Sequence, residues 1–527
     1  MQLISVSTVL PLLLFGVCRT DTAAVHGKLL PRHDTVEDGY LELDLHYTDG
    51  KFLATLQLGS NDDVLHVLVD TVSSDLWVPG SENSNCAHGT NATLKNNAFS
   101  VGPSQGGPVP FNCSVFGTFD YRTSTSYAAN GSDFEIVYGG GAMAMGEWGH
   151  DSVSVGGSSL GEINFAVAAN SSKPFGVLGI GFPGLESTQV VYGNSKGNGS
   201  AAPHTYENFP QRLKTNRIIA RECFSLLLDQ DATGQLLFGA IDHSKYRGSL
   251  YRFPMVNAYL TADSADADTI SATLNSFAVV KDETSTTLVD GFLPAVFDSG
   301  TAFATLPYTL IELLRTQLDL TTDTATGITH TNCSQLASTM FRFDFQGVPF
   351  DVPALNFFLR LEGGTLCGLA AAASYVQGYV VLGQAFLDSI YLSADLQDRT
   401  VALAYANLPA ARQTDADIEL LPAGLAHAVD PPSTQTYDIS HMLYSAIPLS
   451  TVTLASSINY AAVYTKSLNV AETSASASYS SSATSSSANA PRRTPSAAAS
   501  TNAAHSLFPN LFFSLFLLVL CVSFFSV

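Results

Sequence analysis

One short motif occurs twice in the chain, and this duplication constrains the fold more than any other feature. The first copy, Val67–Pro79, is Val-Leu-Val-Asp-Thr-Val-Ser-Ser-Asp-Leu-Trp-Val-Pro. The second, Ala295–Pro307, is Ala-Val-Phe-Asp-Ser-Gly-Thr-Ala-Phe-Ala-Thr-Leu-Pro. In each copy an apolar run of strand character leads to one aspartate, Asp70 or Asp298, within a tight segment of small hydroxyl residues. The chain therefore contains the same strand-to-loop unit twice.

A second repeated feature follows each copy of the motif. Val177-Leu178-Gly179 comes after the first copy, and Val381-Leu382-Gly383 comes after the second. An isolated aspartate after an apolar run is usually a turn or capping residue. Two copies with matching downstream triplets instead favour a duplicated lobe in which the two aspartates have related roles.

On these motifs the chain resembles the pepsin-type aspartic proteases, and its ends and insertions make it most similar to the fungal yapsins, which carry a glycosylphosphatidylinositol (GPI) anchor. The resemblance covers roughly Asp38 to Leu408 and includes Gly383-Gln384-Ala385-Phe386-Leu387 near its end. It implies a mostly β, bilobal fold with the cleft between two related lobes. The lobes would span residues 39–225 and 226–410.

The resemblance also implies the residues of an active site. Asp70 and Asp298 match the catalytic pair of the family. The strand-like run that breaks into glycines at Phe134–Gly141 matches the flap, a hairpin that closes over the substrate. The supporting residues implied are Thr71, Ser73, Ser299, Gly300 and Thr301, and the flap residues are Tyr138 and its hydrogen-bond partner Trp77.

Two carboxyl groups held close together explain why the family needs a pair of aspartates. They cannot both ionise comfortably, so their pKa values split and the pair shares one proton over an acidic range. The ionised member takes a proton from a water molecule, and the protonated member donates one to the substrate oxygen. This peptide hydrolysis requires neither a metal ion nor an organic cofactor.

Three positions depart from the family pattern. Ser299 replaces a threonine, Gly140 replaces an aspartate found in many flaps, and Val72 replaces a glycine of the first loop. Valine adds two methyl groups and stiffens the backbone. Either its side chain narrows a substrate subsite, or it displaces Asp70, and misplacement by about 1 Å can cost ~10²-fold in rate. The main hypothesis is an active endopeptidase, and the alternative is a pseudoprotease that binds peptides in the cell wall without cleaving them.

Composition limits the partners of the protein. The chain has 527 residues, of which 46% are hydrophobic, and its formal net charge is −22. An apolar content this high suits large cores, and the negative charge argues against nucleic acid as a partner. We expect a monomer that acts on peptides and proteins, and the resemblance to yapsins implies cleavage after Lys or Arg in precursor or wall proteins.

The N-terminus has the pattern of a secreted protein. Residues 1–20 have a short apolar core followed by small and polar residues, which predicts a signal peptide. Residues 21–38 match a short propeptide that would be cleaved near Arg32. The alternative is that they form a flexible mature N-terminus.

The C-terminus changes composition in steps. A post-catalytic segment at 411–472 precedes a stalk rich in Ser, Thr and Ala at 473–506, which cannot bury enough apolar area to fold. Residues 507–527 are apolar with no basic residue after them, which favours a GPI attachment signal over a spanning helix. Attachment at Asn502-Ala503-Ala504 would leave a short spacer, and attachment at Ser496-Ala497-Ala498 would leave a longer one. The expected location is the outer face of the plasma membrane or the cell wall.

The seven cysteines leave an odd number in the mature chain. Cys18 and Cys521 lie in segments expected to be removed, which leaves 7 − 2 = 5. The resemblance implies a Cys86–Cys113 bridge in the insertion after the first motif and a Cys333–Cys367 bridge after the second. Cys223, in an apolar strand, would then be a buried free thiol.

Glycosylation motifs agree with a secretory route. Six Asn-X-Ser/Thr sequences occur, and each predicts an N-glycan acceptor. They begin at Asn91, Asn112, Asn130, Asn170, Asn198 and Asn332.

Overall fold

The computed structural model describes most of the region that resembles a protease. The described residues are 35–37, 39–48, 50–86, 111–138, 141–189, 204–231, 233–258, 267–324, 327–361, 363–374, 378–408 and 416–437. The predicted signal peptide, stalk and apolar tail lie outside them. So do Arg32, the sequons at Asn91 and Asn198, and Gly140 of the hairpin tip.

The described chain is built mainly from strands. Strands β1–β9 of the first half are Thr35–Glu37, Tyr40–Thr48, Lys51–Leu58, Asp63–Asp70, Leu76–Pro79, Ala128–Val137, Met143–Val155, Ser158–Ser171 and Gly176–Gly179. Strands β10–β18 are Cys223–Leu227, Thr233–Phe238, Ala240–Asp242, Tyr246–Pro254, Ser271–Lys281, Thr284–Phe297, Ala304–Pro307, Thr321–Thr322 and Thr329–Asn332. Strands β19–β27 are Thr339–Phe345, Val348–Pro353, Phe358–Arg360, Leu366–Leu369, Ala371–Ser374, Val380–Leu382, Ile390–Asp395, Thr400–Ala406 and Ile418–Leu420.

Helices are few and short among the described residues. They are α1 (Phe209–Thr215), α2 (Tyr308–Gln317), α3 (Cys333–Leu336) and α4 (Gln384–Leu387). The longest, α2, begins after Pro307 and buries Leu310, Leu313 and Leu314, which lie three and four residues apart and so share one face. Apolar residues at helical spacing over 306–318 predict this helix.

Several strands form where apolar and polar residues alternate. In β2, Leu41, Leu43 and Leu45 are buried, and in β19, Phe341 and Phe343 are buried, while the residues between them are more exposed. Successive side chains of a strand point to opposite faces, so each of these strands presents one apolar face. These faces form the core.

The two halves repeat the same arrangement of four strands. In the first half, β4 and β9 are parallel, β5 is antiparallel to β9, and β5 is also parallel to β8. In the second half, β15 and β24 are parallel, β16 is antiparallel to β24, and β16 is also parallel to β23. The repeated strand order confirms the predicted mostly β, bilobal fold, because each duplicated motif occupies the same place in its own half.

One sheet connects the two halves. Its order is β13-β26-β25-β10-β11-β2-β3-β4-β9-β5-β8-β7-β6, so strands from the end of the chain pair with strands near its beginning. The link is β10, which pairs with β25 on one side and with β11 on the other. The boundary predicted between residues 225 and 226 falls inside β10, so the halves meet within a continuous sheet.

Folded structure continues past the predicted end of the second lobe at residue 410. Strand β27 pairs with β12, and Leu421, Leu425 and Tyr437 are buried. The part of the predicted post-catalytic segment between residues 416 and 437 therefore packs on the second half.

The cysteines pair as the resemblance implied. Disulfides join Cys86 to Cys113 and Cys333 to Cys367, and Cys223 is a buried free thiol. Burial raises the pKa of the Cys223 thiol to about 12. Such a thiol is a poor nucleophile, since the thiolate is the reactive form.

Four of the predicted glycan acceptors can be placed. Asn130, Asn170 and Asn332 are exposed, and Asn112 is partly buried beside the Cys113 disulfide. In the part of the chain that the structure describes, no helix has the length and apolarity needed to cross a membrane.

Candidate active site

Strand pairing brings the two aspartate loops to equivalent positions. Asp70 is the last residue of β4 and lies opposite Gly179 of β9, and its carbonyl oxygen accepts from Ile180 N at 2.9 Å. Asp298 directly follows β15, and its own N–H donates to Leu382 O at 3.0 Å. Each repeated apolar-apolar-Gly triplet thus lies beside one aspartate.

The glycine of each triplet allows the loop to approach closely. A Cβ atom added to Gly179 would lie 2.6 Å from the backbone nitrogens of Ser74 and Asp75. One added to Gly383 would lie 2.2 Å from Thr301 O. Real Cβ atoms do not come this close to backbone atoms, so any larger residue would push the loops away. The repeated glycine in the sequence therefore has a steric cause.

Thr71 and Ser299 connect the two loops through four hydrogen bonds. Thr71 N donates to Ser299 Oγ at 3.2 Å, and Ser299 N donates to Thr71 Oγ1 at 3.0 Å. The hydroxyls then donate across the interface, from Thr71 to Phe297 O and from Ser299 to Val69 O, both at 2.7 Å. Serine in place of threonine at position 299 keeps every one of these bonds, because the hydroxyl is the only part of that side chain that takes part.

The two carboxyl groups have matching hydrogen bonds. Ser73 Oγ donates to Asp70 Oδ2, and Thr301 Oγ1 donates to Asp298 Oδ2 at 2.6 Å. On the other oxygen, Asp298 Oδ1 accepts from Gly300 N at 2.9 Å and from Thr301 N at 3.1 Å. Ser73, Gly300 and Thr301 thus donate to the carboxyl groups, while the other two supporting residues named from the sequence join the loops.

Val72 does not disturb this pattern. Its N–H donates to Asp70 Oδ1 at 2.9 Å, the same distance as the bond from Gly300 to Asp298. Neither Val72 nor Gly300 has a positive φ, so the loop does not require the left-handed conformation that favours glycine. The Val72 side chain is partly exposed. These contacts favour a subsite role for Val72 over displacement of Asp70.

The carboxyl groups titrate unequally. Burial, followed by the charge of Asp70, raises the pKa of Asp298 to about 7. Burial also raises the pKa of Asp70, but hydrogen bonds from Ser73 and Val72 and the charge of Lys173 oppose the rise. Because the charge of one carboxylate raises the pKa of the other, the pair releases its two protons in separate steps and shares one proton in between.

The predicted flap residues meet in the structure. Strands β6 and β7 form a hairpin, and the side chain of Tyr138 lies buried directly after β6. Trp77 Nε1 donates to Tyr138 Oη at 2.7 Å. Because Trp77 lies seven residues after Asp70, this bond ties the hairpin to the first aspartate loop.

Comparison with known proteins agrees with this geometry. Residues 51–406 match the family described as eukaryotic aspartyl protease, a span that includes both aspartate loops and the hairpin. The chain belongs to this family. The resemblance seen in the sequence is therefore confirmed.

Three relatives of this protease from Saccharomyces cerevisiae show the extent of the similarity. Barrierpepsin is 34% identical over 424 residues, which cover 76% of this chain and 70% of the relative. Aspartic proteinase yapsin-3 is 32% identical over 382 residues, which cover 72% and 70%. Aspartic proteinase 3 is 29% identical over 485 residues, which cover 83% and 84%. By family and relatives, this protein is an aspartic endopeptidase.

One residue of the protease site was missed in the sequence. Lys173 lies between β8 and β9, is only 9% exposed, and interacts electrostatically with both Asp70 and Asp298. Its neighbours in the sequence, Ser172 and Pro174, are typical of a surface turn. No local pattern in the sequence indicates that its side chain is buried near the aspartates.

A cluster of buried polar residues beside the first aspartate loop was also missed in the sequence. Asp75 is buried, and its carboxylate accepts from Tyr206 Oη at 2.7 Å and from Ser187 N at 2.8 Å. Glu186 Oε2 accepts from Tyr206 N at 3.0 Å. Asp75 could have been suspected, because it is a charged residue inside an otherwise apolar and hydroxyl-rich motif.

Proposed function

We propose that Asp70 and Asp298 hydrolyse peptide bonds with an activated water molecule. The observation that carries this proposal is the matched set of hydrogen bonds around two carboxyl groups, the buried Asp70 and the partly buried Asp298, whose pKa values are both raised. One chain supplies both loops, so the proposal includes a monomeric enzyme.

The proposed reaction uses the two protonation states together. With Asp70 ionised and Asp298 protonated, the pair removes a proton from water as the oxygen attacks the peptide carbonyl carbon. The protonated carboxyl group donates to the carbonyl oxygen, which gives a neutral tetrahedral intermediate. Asp70 then gives the proton that it took from water to the amide nitrogen, and the carbon–nitrogen bond breaks. A hydroxyl proton of the intermediate returns to Asp298, which leaves a carboxylic acid and an amine. Tyr138, held by Trp77, would cover the substrate from the hairpin side.

Hydrolysis by the purified protein tests this proposal. Peptides with basic, apolar and acidic residues at their centre would be incubated at about pH 5, below the raised pKa of Asp298. We expect cleavage that pepstatin inhibits and that is lost in Asp298→Ala. Asp290→Asn is the matched control, since Asp290 is an exposed carboxylate on the preceding strand β15. Peptide binding without cleavage above the Asp298→Ala level would support the pseudoprotease instead.

Cleavage directly after Lys or Arg is the finer part of the proposal. Its support is the resemblance to yapsins and the net charge of −22, which attracts basic peptides over long distances. Lys173 near the aspartates opposes it at short range. Long-range attraction and selectivity at the cleaved bond must therefore be measured separately.

We also propose that the protease is secreted as a glycoprotein and held at the cell surface by a GPI anchor. The N-terminal apolar segment, the exposed sequons and the uncharged apolar C-terminus support this location. One relative from Candida albicans carries the name secreted aspartic protease 9. Phosphatidylinositol-specific phospholipase should release the protein from cells. Persistence of residues 507–527 in the mature chain would contradict a GPI anchor.

A further inference from the structure

Two lysines lie on one aromatic ring near the aspartate pair. Lys51 Nζ is 5.5 Å from the centroid of the Phe175 ring, and Lys173 Nζ is 5.8 Å from the same centroid. Both distances are within the range of cation–π attraction. The ring also packs edge-on against Phe116 at 5.4 Å between centroids. An aromatic ring thus holds two ammonium groups in one region.

This region adjoins the flap. Phe175 belongs to the same buried cluster as Trp77 and Tyr138, and Phe116 packs against that cluster. Trp77 and Tyr138 link the hairpin to the first aspartate loop. The charge of Lys173 acts on both Asp70 and Asp298, so it would also act on a substrate side chain next to the cleaved bond on the flap side.

Lys173 carries its charge under the conditions in which the aspartate pair shares a proton. Burial, and then repulsion from Lys51, lower the pKa of Lys173 to about 8, while attraction to Asp70 and Asp298 opposes this change. Its ammonium group is consequently protonated at acidic pH. Buried charges interact more strongly than exposed ones, because little water screens them.

We infer that Lys173 is a specificity-determining residue that disfavours a basic side chain at one of the two positions beside the cleaved bond and accepts an uncharged or acidic one there. The inference rests on the proposed function, because it concerns substrates of the same site. It separates two effects of charge. The negative net charge attracts basic peptides as a whole, and Lys173 disfavours a basic side chain at the one position beside the cleaved bond that lies nearest to its ammonium group.

Matched peptides test the inference on the unmodified enzyme. Peptides would carry Lys, Met or Glu on each side of the cleaved bond in turn, with kcat/KM measured at about pH 5, where Lys173 is charged. On one side of the bond, we expect kcat/KM for the Met peptide to be at least about tenfold higher than for the Lys peptide. A tenfold difference is a small effect for the repulsion between two nearby cations in a protein. Equal or faster cleavage of the Lys peptide on both sides would overturn the inference.

Two variants connect the selectivity to Lys173. In Lys173→Met the Met-to-Lys ratio should fall to about twofold or less. Lys51→Met is the matched control, because it removes the other ammonium group over the Phe175 ring and leaves the charge of Lys173 in place. The Met-to-Lys ratio of this variant should stay near that of the wild type. An unchanged ratio in a folded Lys173→Met protein would also overturn the inference, and Lys173→Gln repeats the test if the Met variant does not fold. If no peptide is cleaved, the proposed function fails, and this inference fails with it.

Discussion

At the scale of single residues, Val72 shows how a departure from the family pattern can leave the chemistry intact. The family glycine is not required for a positive φ, and the backbone N–H of Val72 makes the hydrogen bond to Asp70 that Gly300 makes to Asp298. What the substitution adds is a partly exposed side chain beside the aspartate. We therefore expect Val72 to affect which substrates fit and to leave the aspartate pair unchanged.

Val72→Gly should change side-chain preference without a general gain in rate. Removing the two methyl groups enlarges the space beside Asp70, so kcat/KM should rise for substrates with bulky side chains next to the cleaved bond and stay nearly constant for small ones. A peptide series that differs only in side-chain size would measure this. A uniform gain of about tenfold or more, roughly 1.4 kcal/mol, would mean that Val72 displaces Asp70.

At the scale of structural elements, the brace between the aspartate loops holds the two halves of the site together. Ser299 is buried, and its side chain both accepts from Thr71 N and donates to Val69 O. Removing the hydroxyl leaves a buried donor and a buried acceptor without partners. Such a loss costs about 1–3 kcal/mol for each unsatisfied group.

Ser299→Ala should therefore lower the free energy of unfolding and the rate together. Ser299→Thr keeps the hydroxyl and is the matched control, so it should be close to the wild type in both measurements. Urea unfolding curves and kcat/KM at one acidic pH would test this. If the alanine variant has wild-type stability, the brace contributes less than its geometry indicates.

The elements differ in how far the sequence could predict them. The repeated aspartate motif and the glycine triplets predicted the two related halves, because each pattern has a local cause in strand character or in close backbone approach. Helix α2 was predicted for the same reason. In contrast, β10 joins the halves in one sheet, and residues 416–437 pack on the second half. Those pairings depend on strands distant in the sequence, and no local pattern encodes them.

The site residues show the same division. Asp70, Asp298 and their hydroxyl partners could be predicted, because each lies within a few residues of its partner in the sequence. Lys173 and Tyr206 could not, since they reach the site through the folding of separate segments. The sequence records the presence of these side chains but not their burial near the aspartates.

At the scale of the whole molecule, several buried carboxyl groups make stability depend on pH. Burial raises the pKa values of Glu186 and Asp388 to about 8, and that of Asp298 to about 7. In the described structure, Glu186 Oε1 and Asp388 Oδ1 are buried without a hydrogen-bond partner. The folded protein therefore favours the protonated form of each group, whereas the unfolded chain ionises them at about pH 4.

The free energy of unfolding should accordingly fall as the pH rises from about 4 to about 8. Over this range the unfolded chain releases protons that the folded protein retains, which costs on the order of 1.4 kcal/mol for each pKa unit and group. His66, whose pKa is lowered by burial, acts in the opposite direction, but it is one group against these three carboxyl groups and others whose pKa is also raised, such as Asp70 and Asp75. Urea midpoints across this range would measure the effect.

A double variant, Glu186→Gln with Asp388→Asn, separates this cause from others. It removes the two groups whose pKa is raised to about 8 and leaves the aspartate pair in place. The decrease in stability with rising pH should be smaller in this variant than in the wild type. An equal decrease in both proteins would assign the pH dependence to other groups.

The central claim is that a proton shared between Asp70 and Asp298 drives hydrolysis, and the pH dependence of kcat/KM tests it most directly. The measurement would run from about pH 4 to about pH 9 on protein shown to be folded at each point, with wild type, Asp298→Asn and Asp290→Asn side by side. Wild type and Asp290→Asn should lose activity as the pH rises through about 7, where Asp298 gives up its proton, and Asp298→Asn should be at least ~10²-fold slower throughout. Full activity of the wild type above about pH 8, or an Asp298→Asn variant as fast as the wild type, would contradict the claim.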